Sequence, residues 1–114
     1  MHSYEQLRVY QDAMDLAEAI YKHTAYFPKD ERYNLTDQLR RSAVSVPSNI
    51  AEGCGRSSKP DTVRFLNIAL GSLFEADTQL SLSQRFRYGD AEQLKKNLVA
   101  VRRQLIAFRK HLGG

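Results

Sequence analysis

The chain has no tryptophan, one cysteine and three prolines among 114 residues, and each scarcity narrows what it can be. A lone thiol, Cys54, excludes an internal disulfide and suits a reducing compartment, so the cytoplasm is the expected location. No apolar run approaches the roughly 18 residues of a membrane span, so no membrane partner is expected. The opening MHSYEQLRVY has neither a basic n-region nor an apolar stretch, and no secretory signal is expected. Strand signals are missing too: there is no sustained two-residue alternation and no Asn-Gly hairpin.

Catalytic constellations are equally scarce. Gly53-Cys54-Gly55 lacks the Lys-Ser/Thr ending of a phosphate-cradling loop and a strand before it. His2, His23 and His111 each lack the glutamate three residues earlier that a di-iron bundle requires, so neither metal nor cofactor is expected. Arg56 and Lys59 could activate Cys54, but no histidine is near in sequence to act as its base, and an inert thiol is the plainer reading. Glu52, Glu75 and Asp77 are the kind of helix-surface acids whose spacing alone says nothing. The chain is expected not to be an enzyme.

What is present is helical periodicity, enough for one domain spanning residues 1–114. From about Gln6 to Ala25, Tyr10, Ala13, Ala17, Ile20 and Thr24 form a stripe that Met14 and Tyr21 widen; Phe27-Pro28 ends it. From about Leu35 to Glu52, Leu39, Ala43, Val46 and Ile50 share a face, and Gly53 and Gly55 read as a stop and a loop. A third helix opens near Ser58, with Pro60 suited to its first turn, and reaches about Phe86. It is apolar around most of its circumference and should be covered on most sides. Asp90-Ala-Glu-Gln93 has capping-box spacing before a fourth helix, in which Leu94, Leu98, Val101, Leu105, Phe108 and Leu112 repeat as a heptad seam. Short connections predict an all-α, up-down-up-down antiparallel four-helix bundle, with the second helix kinked at Pro47.

The run Gln38 to Arg56, QLRRSAVSVPSNIAEGCGR, flanked by FPKDERYNLTDQ and RFLNIALGSL, resembles the four-helix-bundle family encoded in intervening sequences of 23S ribosomal RNA. That family is related to the accessory variability proteins of diversity-generating retroelements. The chain departs from the pattern at Asn34, where glycine is usual, and at Phe74-Glu-Ala-Asp-Thr78. The resemblance implies a cyclic homopentamer with a central channel, no settled activity, and a reverse transcriptase as a partner if one is encoded beside the gene. Within the shared pattern Pro47, Asn49, Glu52 and Gly53 read as structural. Asn49 and Glu52 would satisfy polar groups freed by the kink or hold an arginine from a neighbouring helix. Arg40 and Arg41 read as structural in the same way, or as part of a surface site for RNA or protein.

Charge is distributed unevenly. Residues 1–33 carry four basic and six acidic side chains, residues 34–84 five of each, and residues 85–114 eight basic and two acidic. With Leu98 at heptad position a, Val99 and Ile106 fall at b and Ala100 and Ala107 at c. Lys95, Arg102 and Arg109 take e, and Lys96, Arg103 and Lys110 take f. The last helix thus reads as a core seam, a small apolar stripe and a basic strip. Isolated exposed apolar residues need no explanation. A subunit interface at Val99, Ala100, Ile106 and Ala107 explains them more sharply, at about 1.5–3 kcal/mol for each larger side chain buried. Asp12, Asp15 and Glu18 could complement the basic strip across subunits, although local pairs such as Glu18 with Lys22 explain them as well. The basic strip, with Arg40 and Arg41, is the candidate nucleic-acid surface, and Tyr26, Tyr33, Phe86 and Tyr88 are stacking groups or hinge packing. Two functions stay open: a nucleic-acid-binding oligomeric scaffold, and a structural or protein-interacting oligomer whose basic surface serves solubility.

Overall fold

Each amphipathic stretch becomes a helix where its stripe can be buried and stops where the backbone is punctuated. In the computed structural model, which describes residues 3–113, all regular structure among the described residues is helical. Helices α1 (Arg8–Thr24), α2 (Leu35–Cys54), α3 (Lys59–Arg85) and α4 (Glu92–His111) are accompanied by short 3-10 turns at Tyr4–Gln6 and Lys29–Glu31.

The stripe of α1 is rotated from the one read in the sequence: Val9, Ala13, Leu16, Ile20 and Thr24 are buried, whereas Met14 and Tyr21 are exposed. The chain leaves α1 through Phe27, which is buried against Tyr88, and Pro28 follows. In α2 the expected face of Leu39, Ala43, Val46 and Ile50 is buried, and the helix runs through Pro47 without ending. It also runs through Gly53, which is not a stop. A Cβ there would lie 3.0 Å from the Phe65 Cβ and 3.2 Å from the Thr62 carbonyl oxygen, so glycine lets α3 come close. The Thr62 hydroxyl donates to the Gly53 carbonyl at 2.8 Å in the same contact.

At the start of α3 the Ser58 hydroxyl accepts the Asp61 N–H at 3.2 Å and Pro60 occupies the first turn, an N-cap of the usual kind. Leu66, Ala69, Leu70, Leu73, Ala76 and Leu80 face the core. The expectation that α3 is covered on most sides is not met within one chain: Ile68 is 42%, Phe74 54% and Leu82 38% exposed. The capping box before α4 does not form either. Asp90 accepts the Glu92 N–H, Gln84 of α3 accepts the Ala91 N–H, and Gln93 turns to Asn97. The heptad seam is realised, with Leu94, Leu98, Val101 and Leu105 buried and Phe108 and Leu112 packed at its end.

Consecutive helices pack on one another and α4 closes on α1, while no Cα atoms of α2 and α4 come within 8 Å among the described residues. Side-chain contacts pair early residues of one helix with late residues of its neighbour: Gln104 with Asp12, Arg109 with Asn67, Lys95 with Ser81. The two loops at one end meet where the Tyr88 hydroxyl donates to Glu31 at 2.7 Å. Gly89 stands there at φ +139° with the His23 ring against it, a backbone region that favours glycine.

Gly53 and Gly71 should therefore respond oppositely to alanine. Gly71 is exposed in mid-helix with nothing within 4 Å of an added Cβ. Urea unfolding is expected to show Gly71→Ala stabilised by up to about 1 kcal/mol and Gly53→Ala destabilised by about 1–3 kcal/mol.

Candidate nucleic-acid and subunit surfaces

At 100° per residue the heptad positions of α4 follow one another around the helix as a, e, b, f, c, g, d. Position e faces α3. Lys95 donates to the Ser81 hydroxyl at 2.7 Å and lies 3.7 Å from the Asp77 carboxylate. The Arg102 guanidinium lies 5.3 Å from the centre of the Phe74 ring, and Arg109 donates to Asn67 at 2.9 Å. Position g faces α1, where Gln104 donates to Asp12 at 2.7 Å.

Position f points outward. Lys96, Arg103 and Lys110 are exposed and none has an ion pair among the described residues. Val99 and Ile106 therefore stand between two cationic rows, half-buried and 39% exposed respectively. Ala100 and Ala107, both exposed, lie beyond the outer row. Ala100 borders a groove of about 280 Å³ with Asp12, Asp15 and Asn97. The single apolar stripe read in the sequence is thus split in two by Lys96, Arg103 and Lys110. Glu18 pairs locally with Lys22 at 3.2 Å.

Arg40 and Arg41 are not brought to this surface, because α2 is diagonal to α4. Arg40 reaches back to the end of α1, where Nε donates to the Thr24 hydroxyl at 2.9 Å and Nη2 to the Tyr21 carbonyl at 3.2 Å. Its guanidinium also covers the Tyr21 ring at 4.5 Å. Arg41 makes an exposed pair with Asp37 on its own helix. Asn49 donates to the Ser45 carbonyl and hydroxyl rather than to a neighbouring helix. Glu52 holds Arg56 at 2.9 Å, in the connection to α3.

The end of α2 buries Cys54, and burial pushes its thiol up, away from the reactive thiolate. His23 is pushed below its ordinary value by burial, against the pull of Asp90. Among the described residues, no group of three or more His, Cys, Asp or Glu side chains could hold a metal; His2 lies outside them. Among the described residues no helix is long and apolar enough to cross a membrane.

A further surface was not singled out from the sequence. Tyr4, Tyr10, Met14, Tyr21, Val44 and Pro47 line an open, mostly apolar groove of about 500 Å³ between α1 and α2. Its signal was the extra width of the α1 stripe, which faces this groove and not the core.

The family described as 23S rRNA-intervening sequence protein matches residues 5–107. A similar fold occurs in the crystal structure of a protein with unknown function from the S23 ribosomal protein family of Bacteroides thetaiotaomicron. It is 27% identical, with a TM-score of 0.79, over 90% of this chain and 98% of that one. No curated protein is similar enough in sequence to count as a match.

The two arginines of α2 should be separable by stability. Arg40→Ala removes two hydrogen bonds to the end of α1 and is expected to cost about 1–2 kcal/mol. Arg41→Ala removes an exposed pair and should cost less than about 0.5 kcal/mol in the same denaturant titration.

Proposed function

Because the chain belongs to the 23S rRNA-intervening sequence protein family, we propose that it is a non-enzymatic, ring-forming scaffold that binds RNA or DNA with little sequence selectivity. The reading rests chiefly on Lys96, Arg103 and Lys110, which recur every seven residues, point outward and have no carboxylate partner among the described residues. A row of free cations along one helix meets the repeating phosphates of a nucleic acid and carries little base readout. Lys95, Arg102 and Arg109 lie alongside and widen the positive band, although their local contacts on α3 reduce what each can offer. The matching family and the similar crystal structure carry no enzymatic name.

Ring formation is supported by two unlike surfaces on different helix pairs. One is the ridge of Phe74, Val99 and Ile106 on α3 and α4, and the other is the apolar groove between α1 and α2. Unlike patches join head to tail, and such contacts close into a ring when the rotation allows. The exposed apolar side chains equally suit a protein-interacting oligomer that binds no nucleic acid. Where a reverse transcriptase is encoded beside the gene, it is the protein partner to test first.

Binding of labelled single-stranded and duplex RNA and DNA, followed by anisotropy, should weaken about a thousandfold between roughly 50 and 200 mM salt if six phosphates are contacted. K96E/R103E/K110E should abolish binding without unfolding the chain. Absence of binding at the lower salt would leave the protein-interacting oligomer. In light scattering, a roughly fivefold multiple of the 13.1 kDa chain mass is expected for the ring, and a monomer at micromolar concentration would refute it.

A further inference from the structure

His23 stands in the last turn of α1, half-buried, with its ring against the connection between α3 and α4. A Cβ on Gly89 would lie 3.3 Å from its Cε1 and 3.9 Å from its Nε2, and the Phe27 ring meets it edge-on at 5.5 Å between centres. Nε2 is withdrawn from water and has no hydrogen-bond partner among the described residues. A polar atom so placed is normally partnered, and its isolation calls for a reason. The connection it touches is demanding as well: Arg87 stands at φ +64° without being glycine, and Gly89 at +139°.

A neutral imidazole carries hydrogen on one nitrogen, whereas the imidazolium carries it on both. Protonation therefore places a charged N–H at Nε2, where no acceptor stands. Asp90, one residue beyond Gly89, is the carboxylate that draws on the ring, but its Oδ1 accepts the Glu92 N–H at 3.0 Å. In the α1–α2 connection Glu31 is taken by the Tyr88 hydroxyl and the Leu35 N–H, and Asp30 acts on Tyr88. Lys22, next to His23 on α1, pairs with Glu18, and Arg40 of α2 is held by Thr24 and the Tyr21 carbonyl. Arg87 is exposed. Asp90 is thus the acceptor that a small rearrangement of the α3–α4 connection can supply.

We propose that His23 is a proton-operated latch at this end of the bundle: charging its ring draws Asp90 from the start of α4 onto Nε2 and loosens the Tyr88–Glu31 bond that joins the two connections. Gly89 is the pivot, since it separates Tyr88 from Asp90 and carries no side chain to restrict its backbone. Burial outweighs the pull of Asp90 and holds the ring below its ordinary value of about 6.5. The closed arrangement takes up the proton less readily than an open one. It is fully favoured above that ordinary value and is lost as pH falls through the His23 midpoint. The latch is separate from the α4 cation rows and does not rest on the nucleic-acid reading.

NMR of the isotope-labelled intact chain between about pH 5 and 8, the range in which histidine changes charge, tests it. The His23 ring signals are expected to titrate with a midpoint below about 6.5, and the Gly89 and Glu92 amide signals to move with the same midpoint. Asp90→Asn removes the charge that the ring would recruit. It should lower the His23 midpoint further, by roughly one pH unit, and uncouple the Gly89 and Glu92 signals from it. His23→Phe, which keeps a ring against Phe27, should abolish the movement of both amides. Should that variant fail to fold, Asp90→Asn, at an exposed position, carries the test. A His23 midpoint at or above the ordinary value overturns the latch, as do amides that do not follow the ring. So does the same amide movement in either variant.

Discussion

The close approach of α2 to α3 at Gly53 is the constraint on which the rest of the bundle depends. Helices usually pack 8–10 Å apart, a spacing set by the side chains between them. Here one of those side chains is a hydrogen atom, and Phe65 and the Thr62 backbone occupy the space. The Thr62 bond to the Gly53 carbonyl and the Ser72 bond to Ser45 fasten the two helices along their length. Leu39, Ile50, Leu66 and Leu73, all fully buried, lie on this pair, and α1 and α4 cover what remains open.

How much could be read beforehand depended on how far away the cause of each feature lay. The α4 seam was legible because a four-three repeat needs only its own helix to be recognised. Ser58 and Pro60 were legible because N-caps are local. Gly53 was misread as a stop because the atoms that require glycine, in Thr62 and Phe65, come from the next helix. The Asp90 capping box is replaced by competing local bonds, Asp90 accepting the Glu92 N–H and Gln93 donating to Asn97, while Gln84 of α3 accepts the Ala91 N–H. In α1, Met14 and Tyr21 read as core because their side chains are apolar, and only the tertiary arrangement turns them towards a groove.

The candidate surfaces divide along the same line. All six cations of α4 were found from spacing, but spacing could not show that one row is engaged by α3 and the other stands free. It also suggested one apolar stripe where the helix has two, separated by charge. Arg40 and Arg41 are adjacent in sequence and have unrelated tasks. One is anchored to α1, 16 and 19 residues earlier, and the other pairs within its own turn.

The diagonal placement of α2 and α4 has a geometric corollary. The chain measures 43 × 23 × 20 Å, so a polyanion touching both Arg41 and Lys110 would have to travel around the body of the protein. Some 20 Å corresponds to about six steps of a duplex strand, and a stiff double helix does not curve so tightly around so narrow an object. Only a pliant, unpaired strand could engage both sides of a single copy, whereas a rigid duplex would have to span from one copy to the next.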